Sequence, residues 1–298
     1  MNRLTSIYSG VFDPVYFFRD IEMKMKMKSL KLAALIATSF VSSSAMAGSI
    51  YLTGHDVDLH GGQNGYDNVI LNYLRGAGTS SAILASNYKI GVVKGNGGFI
   101  GNVGVNTYEG FGAISVRTVS SFTGAADFAT FLSGIDVLAV SSETSCGGCS
   151  ITSADSAILN GFSPQIETFF NAGGDIYGNT GATLATYYGF LPPSAVATGS
   201  SISGSSGFTA TLAGMGIGIL PNMINGFPTH NRFPSMSPAF KVFETRGDEI
   251  ISIGLRDGKI IDGGITPGGP GAVPEPASLA LMGLGLAGLA AARRRKTA

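Results

Sequence analysis

Tryptophan is absent from the 298-residue chain, cysteine occurs twice and histidine three times. Two cysteines exclude a four-cysteine zinc site within one chain and allow at most one internal disulfide. Three histidines restrict any imidazole chemistry to His55, His60 and His230. Charge is sparse as well: 13% of residues are Asp, Glu, Lys or Arg, and the formal net charge is zero. That zero is a cancellation between segments. Between Gly48 and Ala292, nine Lys and Arg stand against sixteen Asp and Glu, a balance of −7. No basic stripe remains to neutralise phosphates, which excludes nucleic acid as a partner. What is abundant is glycine, at 44 residues, together with serine, a composition common in exported chains with long loops.

The two ends are organised differently from the middle. Near the front, Lys24, Lys26, Lys28 and Lys31 precede the apolar run Leu32-Ala33-Ala34-Leu35-Ile36-Ala37, and Ala45-Met46-Ala47 follows. A positive segment, an apolar segment and an A-x-A site form a secretory signal, so the mature chain should begin at Gly48. Its partners would be the Sec translocon and signal peptidase. Residues 1–22 carry Asp13, Asp20 and Glu22, which a signal peptide rarely does, and read as an extension upstream of the true start at Met23, Met25 or Met27.

The far end reads Val273-Pro274-Glu275-Pro276, an apolar run from Ala277 to Ala292, and then Arg293-Arg294-Arg295-Lys296. The prolines keep the approach extended. Sixteen apolar residues reach about 24 Å as a helix, slightly short of a hydrocarbon core of roughly 30 Å. The four cations resist translocation and hold the end in the cytoplasm. This tail resembles the PEP-CTERM sorting signal of Gram-negative bacteria. The resemblance implies a single C-terminal membrane helix, transient residence in the inner membrane and removal of the tail by an exosortase-type protease. It also implies delivery to the envelope, surface or extracellular matrix, in association with exopolysaccharide and biofilm.

Between the ends, residues 48–263 alternate short apolar runs with helical stretches, which predicts an α/β domain with a mostly parallel sheet. Strands are expected at Ser49–Thr53, Lys89–Lys94, Ala113–Val119, Asp136–Ser141 and Asp175–Gly178, and helices at Asp67–Arg75 and Gly124–Ser133. Thr152 and Asp155 have capping-box spacing for a further helix, which Pro164 divides or kinks. Thr183 to Tyr188 reads as a helix. Strands are also expected at Gly207–Leu212, Ala239–Glu244 and Glu249–Leu255, and Asp257-Gly258 as the turn into Lys259–Ile261. Residues 264–272 are a Gly/Pro linker to the tail.

Helix, Gly173-Gly174, short strand, then Gly178-Asn179-Thr180-Gly181-Ala182 leading into a helix is similar to class I glutamine-amidotransferase-like domains and their trehalose-utilisation-type relatives. The resemblance covers the pattern from about Ile50 to Leu191 and implies a flavodoxin-like three-layer fold. Where that family carries a nucleophilic cysteine, this chain has Thr180, a poor nucleophile without an adjacent base. The resemblance therefore implies that amidotransferase chemistry is lost.

Two constellations bear chemistry. His55, Asp56, Asp58 and His60 follow the first strand, at the carboxyl edge where open α/β sheets bind ligands. His230 lies in another loop, and Glu143 should project from the same edge as a possible base if the strands are parallel. Imidazoles with carboxylates suit zinc or another divalent first-row metal, while a His/Asp-rich turn also serves as a polar loop held by local hydrogen bonds. Cys146-Gly147-Gly148-Cys149 reads as a local disulfide in an exported chain, with redox chemistry and a Cys146 nucleophile as the other readings. The composite expectation is a non-catalytic surface or matrix protein binding carbohydrate or metal through the His55–His60 face. Its alternative is a secreted metal-dependent hydrolase built on the same residues.

Overall fold

The computed structural model describes residues 48–60, 63–76, 83–96, 111–144, 150–261 and 263–266, all within one compact unit, Ala45–Ala272. The strands are β1 (Gly48–Thr53), β2 (Ile90–Lys94), β3 (Ile114–Thr118), β4 (Val137–Val140), β5 (Asp175–Gly178), β6 (Ala197–Ser201), β7 (Thr209–Ala210), β8 (Asn231–Met236), β9 (Lys241–Arg246), β10 (Glu249–Ile261) and β11 (Gly264–Thr266). The helices are α1 (Tyr66–Leu74), α2 (Ala125–Ser133), α3 (Ser153–Asn160), α4 (Ser163–Asn171), α5 (Leu212–Ile217) and α6 (Pro221–Ile224).

The main sheet runs β3-β2-β4-β5-β1-β10-β9-β7, with β11 paired to β10. From β3 to β1 every pairing is parallel; from β1 onward every pairing is antiparallel. The sheet is therefore mixed, which corrects the expectation of a mostly parallel one. The cause is loop length. Helix-bearing connections carry the chain between β1, β2, β4 and β5, whereas β9 and β10 are joined by a tight turn with Gly247 at φ 59°, and a hairpin can only pair its strands antiparallel. Strands β6 and β8 form a separate antiparallel pair.

Side chains alternate across the sheet into two cores. One face carries Ile50, Leu52, Val93, Leu138, Val140 and Ile176 against Phe128, Leu159, Ile166 and Phe170 of α2, α3 and α4. The other carries Tyr51, Ile90, Val92, Val137 and Tyr177 against Ile70, Leu71 and Leu74 of α1. The second face is rich in tyrosine, and each buried hydroxyl there needs a polar partner. That requirement builds the site described below.

Pro164 lies in the first turn of α4, so the expected helix is divided into α3 and α4. The capping box is present: Thr152 Oγ1 accepts from Asp155 N at 3.1 Å, and the Asp155 carboxylate accepts from Thr152 N at 3.0 Å and from its hydroxyl at 2.6 Å. The same carboxylate accepts from Asn96 N at 3.4 Å, beyond the end of β2. The crevice between β2 and β4, where strand order reverses and open α/β sheets often take phosphate, is thus partly filled by the protein's own carboxylate.

Three local expectations are corrected. Thr183–Tyr188 forms no α-helix; the chain turns there and makes a 3-10 helix at Tyr187–Phe190. Asp257-Gly258 does not end a strand, because β10 runs through it with Asp257 at φ 52° and stays paired to β1 and β11. Residues from Leu212 form helix α5, capped by Thr211. The domain continues through β11, so the expected linker starts later than residue 264. Among the described residues no helix is long and apolar enough to cross a membrane. The signal peptide, the Cys146–Cys149 pair, the sorting motif and the C-terminal membrane helix lie outside the described residues.

Replacing Thr152 with alanine removes the cap, and we expect a loss of about 1 kcal/mol. A lower urea midpoint at unchanged slope would register it.

Candidate functional site

Strands β1, β4 and β5 are mutually parallel, so the segments after them emerge at one edge, as anticipated for Glu143 and the His55 loop. Contacts between these loops then decide which side chains face outward. Gly54 sets the crossing. Its carbonyl accepts from His230 N at 2.9 Å and Asn231 N at 3.2 Å, and a β-carbon at Gly54 would overlap the Asn231 carbonyl oxygen. Only glycine lets the segment before β8 lie so close to the end of β1. The crossing brings Thr229 and His230 to His55 and Asp56.

The five expected ligands do not form one cluster. His55 is fully buried: Nε2 lies 2.8 Å from Glu244 Oε2 and Nδ1 2.6 Å from Thr229 Oγ1. Glu244, also fully buried, accepts from Tyr51 at 3.1 Å and from the Tyr66 hydroxyl through its other oxygen. Ser252 and Thr53 extend the network, with Ser252 Oγ donating to Thr53 Oγ1 at 3.0 Å. Both ring nitrogens of His55 are thereby occupied, and the residue pins β1 to β9.

Asp58 faces inward too. Its carboxylate accepts from Ser142 N at 2.9 Å and from the Ser142 hydroxyl at 2.5 Å, joining the loop after β1 to the loop after β4. Burial pushes its carboxyl up, the Ser142 hydrogen bonds oppose this, and the Asp56 charge adds to it. Asp67, at the start of α1, is pushed up to about 8 by burial, although the Tyr177 hydroxyl donates to it at 2.6 Å. Glu143 is buried, its N–H donates to Thr180 O and its carboxylate accepts from Thr144.

Asp56, His60 and His230 remain together. His60 Nε2 lies 3.2 Å and His230 Nε2 3.4 Å from Asp56 Oδ2. The Asp56 side chain is 1% exposed, the imidazoles 29% and 25%. Among the described residues neither Asp56 oxygen has an aligned hydrogen-bond partner. A buried carboxylate left this way is costly unless something pairs with it. Phe227 lies against His60 with ring centroids 6.1 Å apart. Among the described residues no group of three or more His, Cys, Asp and Glu side chains is placed to hold a metal ion.

Thr180 is buried, and its hydroxyl accepts from Ala182 N at 3.1 Å, closing the turn after β5. The positive φ of this turn falls on Ala182, at 42°. With no α-helix following, the strand–turn–helix context of a nucleophile position is missing.

Sequence reasoning located the His/Asp loop and did not find Glu244, Tyr51, Tyr66, Thr229 or Ser142. Glu244 had one signal: an acidic residue directly after Phe243 at the end of the expected strand Ala239–Glu244.

The geometry defines a mixed α/β domain with a carboxylate–imidazole rim at the carboxyl edge of its parallel strands. No curated protein and no solved structure matches the chain. Residues 272–296 match the PEP-CTERM protein-sorting motif. The tail thus marks the chain as an exported, exosortase-targeted surface protein, reached by Sec export.

Two outcomes follow. His55→Ala strands Glu244 and Thr229 and should cost at least about 1–3 kcal/mol, read as a lower denaturation midpoint. Asp67 holds its proton more tightly folded than unfolded, so its contribution to stability falls as pH rises from about 4 to about 8 and is flat above. Asp67→Asn should reduce that slope in denaturation series across this range.

Proposed function

We propose that the exported domain is a non-catalytic binding protein of the envelope or extracellular matrix that takes exopolysaccharide at the rim formed by His60, His230 and Asp56. The observation that carries this reading is the buried Asp56 carboxylate, without an aligned hydrogen-bond partner among the described residues, behind two partly exposed imidazoles. Sugar hydroxyls suit such a rim, since they donate to and accept from imidazole nitrogens, which the buried Asp56 carboxylate holds in place behind them, and Phe227 adds an apolar surface beside His60. The −7 balance from Gly48 to Ala292 favours neutral or amine-bearing glycans over acidic ones. A divalent-metal hydrolase on the same edge has less support, because His55 and Asp58 are committed to Glu244 and Ser142.

The supporting experiment titrates the processed protein with exopolysaccharide from its own host. Asp56→Asn should weaken binding at least about tenfold, because the charge that holds the two imidazoles is lost, with no change in His55-dependent stability. Unchanged affinity would sink the proposal, and a stoichiometric metal lost in Asp56→Ala would transfer support to the hydrolase. Separately, Glu275→Ala should leave the tail on the chain, and intact-mass measurement of the membrane fraction would show the uncleaved species.

A further inference from the structure

The start of β1 coincides with the expected signal-peptidase product. Ser49 N donates to Asp175 Oδ1 at 2.6 Å, the Tyr88 hydroxyl donates to Oδ2 at 2.7 Å, and Asp175 is buried. Both partners are neutral donors. Asp257 lies on the other side of Ser49, its N–H donating to Ser49 Oγ at 3.4 Å, and it acts on Asp175 as a like charge. The start of β1 is fixed in place. Gly48 is buried and paired with Gly258, and a β-carbon there would overlap the Gly174 carbonyl oxygen and the Phe170 ring. Only glycine fits as this residue.

From this geometry we infer that removal of the signal peptide completes a buried ion pair: the new α-ammonium of Gly48 becomes the counter-ion of Asp175. The inference rests on cleavage after Ala47. The nitrogen that gains the charge is one residue, about 3.5 Å along an extended chain, from the N–H that Asp175 accepts. In the uncut chain the same nitrogen is a neutral amide, and among the described residues no cation forms an ion pair with Asp175, so its carboxyl keeps a proton up to about pH 8; cleavage supplies the charge that lets it ionise at lower pH. The charged and titratable groups around Asp175 are Tyr88, Tyr73, Asp257 with its partner Arg256, and, behind Tyr88, Asp136 and the cation Arg75, neither of which acts on Asp175 directly. Burial first, with a smaller push from Asp257 and against the Tyr88 and Ser49 hydrogen bonds, holds Asp175 up at about 8, so an adjacent ammonium has a large effect to reverse. Export and folding are coupled by this arrangement: the chain gains stability at the moment that it is released from its signal peptide.

The test uses the exported, processed chain. Intact mass and N-terminal sequencing establish whether it begins at Gly48; a different start overturns the inference at its premise. The α-amine is then acetylated in one sample and dimethylated in another near pH 6.5 in denaturant, where it is exposed and reacts ahead of lysine, and both samples are refolded. Dimethylation keeps the charge and acetylation removes it. At pH 6 the acetylated protein should melt at least about 3 °C below the dimethylated one. The gap should close as pH rises past about 8, where the amine loses its proton, and should vanish in Asp175→Asn. Equal melting temperatures at pH 6 overturn the inference, as does a gap that persists in Asp175→Asn. Should Asp175→Asn fail to fold, closure of the gap with pH in the unmutated chain decides by itself.

Discussion

The buried contact between His55 and Glu244 is the joint on which the remaining architecture depends. Glu244 sits on β9 in the antiparallel half, His55 at the end of β1 in the parallel half, and Tyr66 comes from α1 on one face of the sheet. A carboxylate with no exposure is tolerable only when each oxygen is engaged, and Glu244 meets this with one imidazole and two phenols. The joint also aims the next residue. Because successive residues of an extended segment project to opposite sides, His55 pointing inward leaves Asp56 directed to the neighbouring rim.

The tyrosine-rich face follows one rule throughout. Tyr51 and Tyr66 meet Glu244, Tyr177 meets Asp67, and Tyr88 meets Asp175. Lysine and arginine are scarce between Gly48 and Ala292, so phenols take over the work of holding buried carboxylates. The consequence is electrostatic. Phenol hydrogen bonds lower a carboxyl's affinity for protons less than burial raises it, which is why Asp67 and Asp175 both end near 8. Such a domain carries protons into the neutral range and responds to pH there.

Much of this was legible in the sequence, and the gaps have physical causes. Strands β1 to β5 and helices α1 to α4 were readable because each obeys a single period and carries its own punctuation, such as Thr152-Asp155 or Pro164. Helix α5 was not readable, because Leu212 is 85% exposed and Met215 also points outward, so its apolar residues do not mark the buried face. Asp257-Gly258 has hairpin chemistry, yet Asp257 uses its left-handed conformation inside a strand held by β1 and β11. Periodicity cannot report partners that come from far along the chain. The same limit applies to the site: the loop from His55 to His60 was visible as a group, but its division into inward His55 and Asp58 and outward-facing His60 depends on Glu244 and Ser142, nearly 190 and 84 residues away.

The rim itself can be weighed by what its groups would do alone. Asp56 buries a carboxylate whose ion-pair contacts among the described residues are two imidazoles at 3.2 and 3.4 Å, longer than the roughly 2.7–2.9 Å of a well-formed charge-assisted hydrogen bond. A site that existed only for stability would close those distances, as His55 and Glu244 do at 2.8 Å in the adjoining network. The two arrangements start one residue apart in the same loop and differ in exposure and in whether the polar groups are satisfied. The satisfied network sits beneath the loop and gives it rigidity. The unsatisfied one sits at the edge, where a polar ligand would supply the missing bonds, and its rigid support keeps the cost of binding low by fixing the imidazoles in advance.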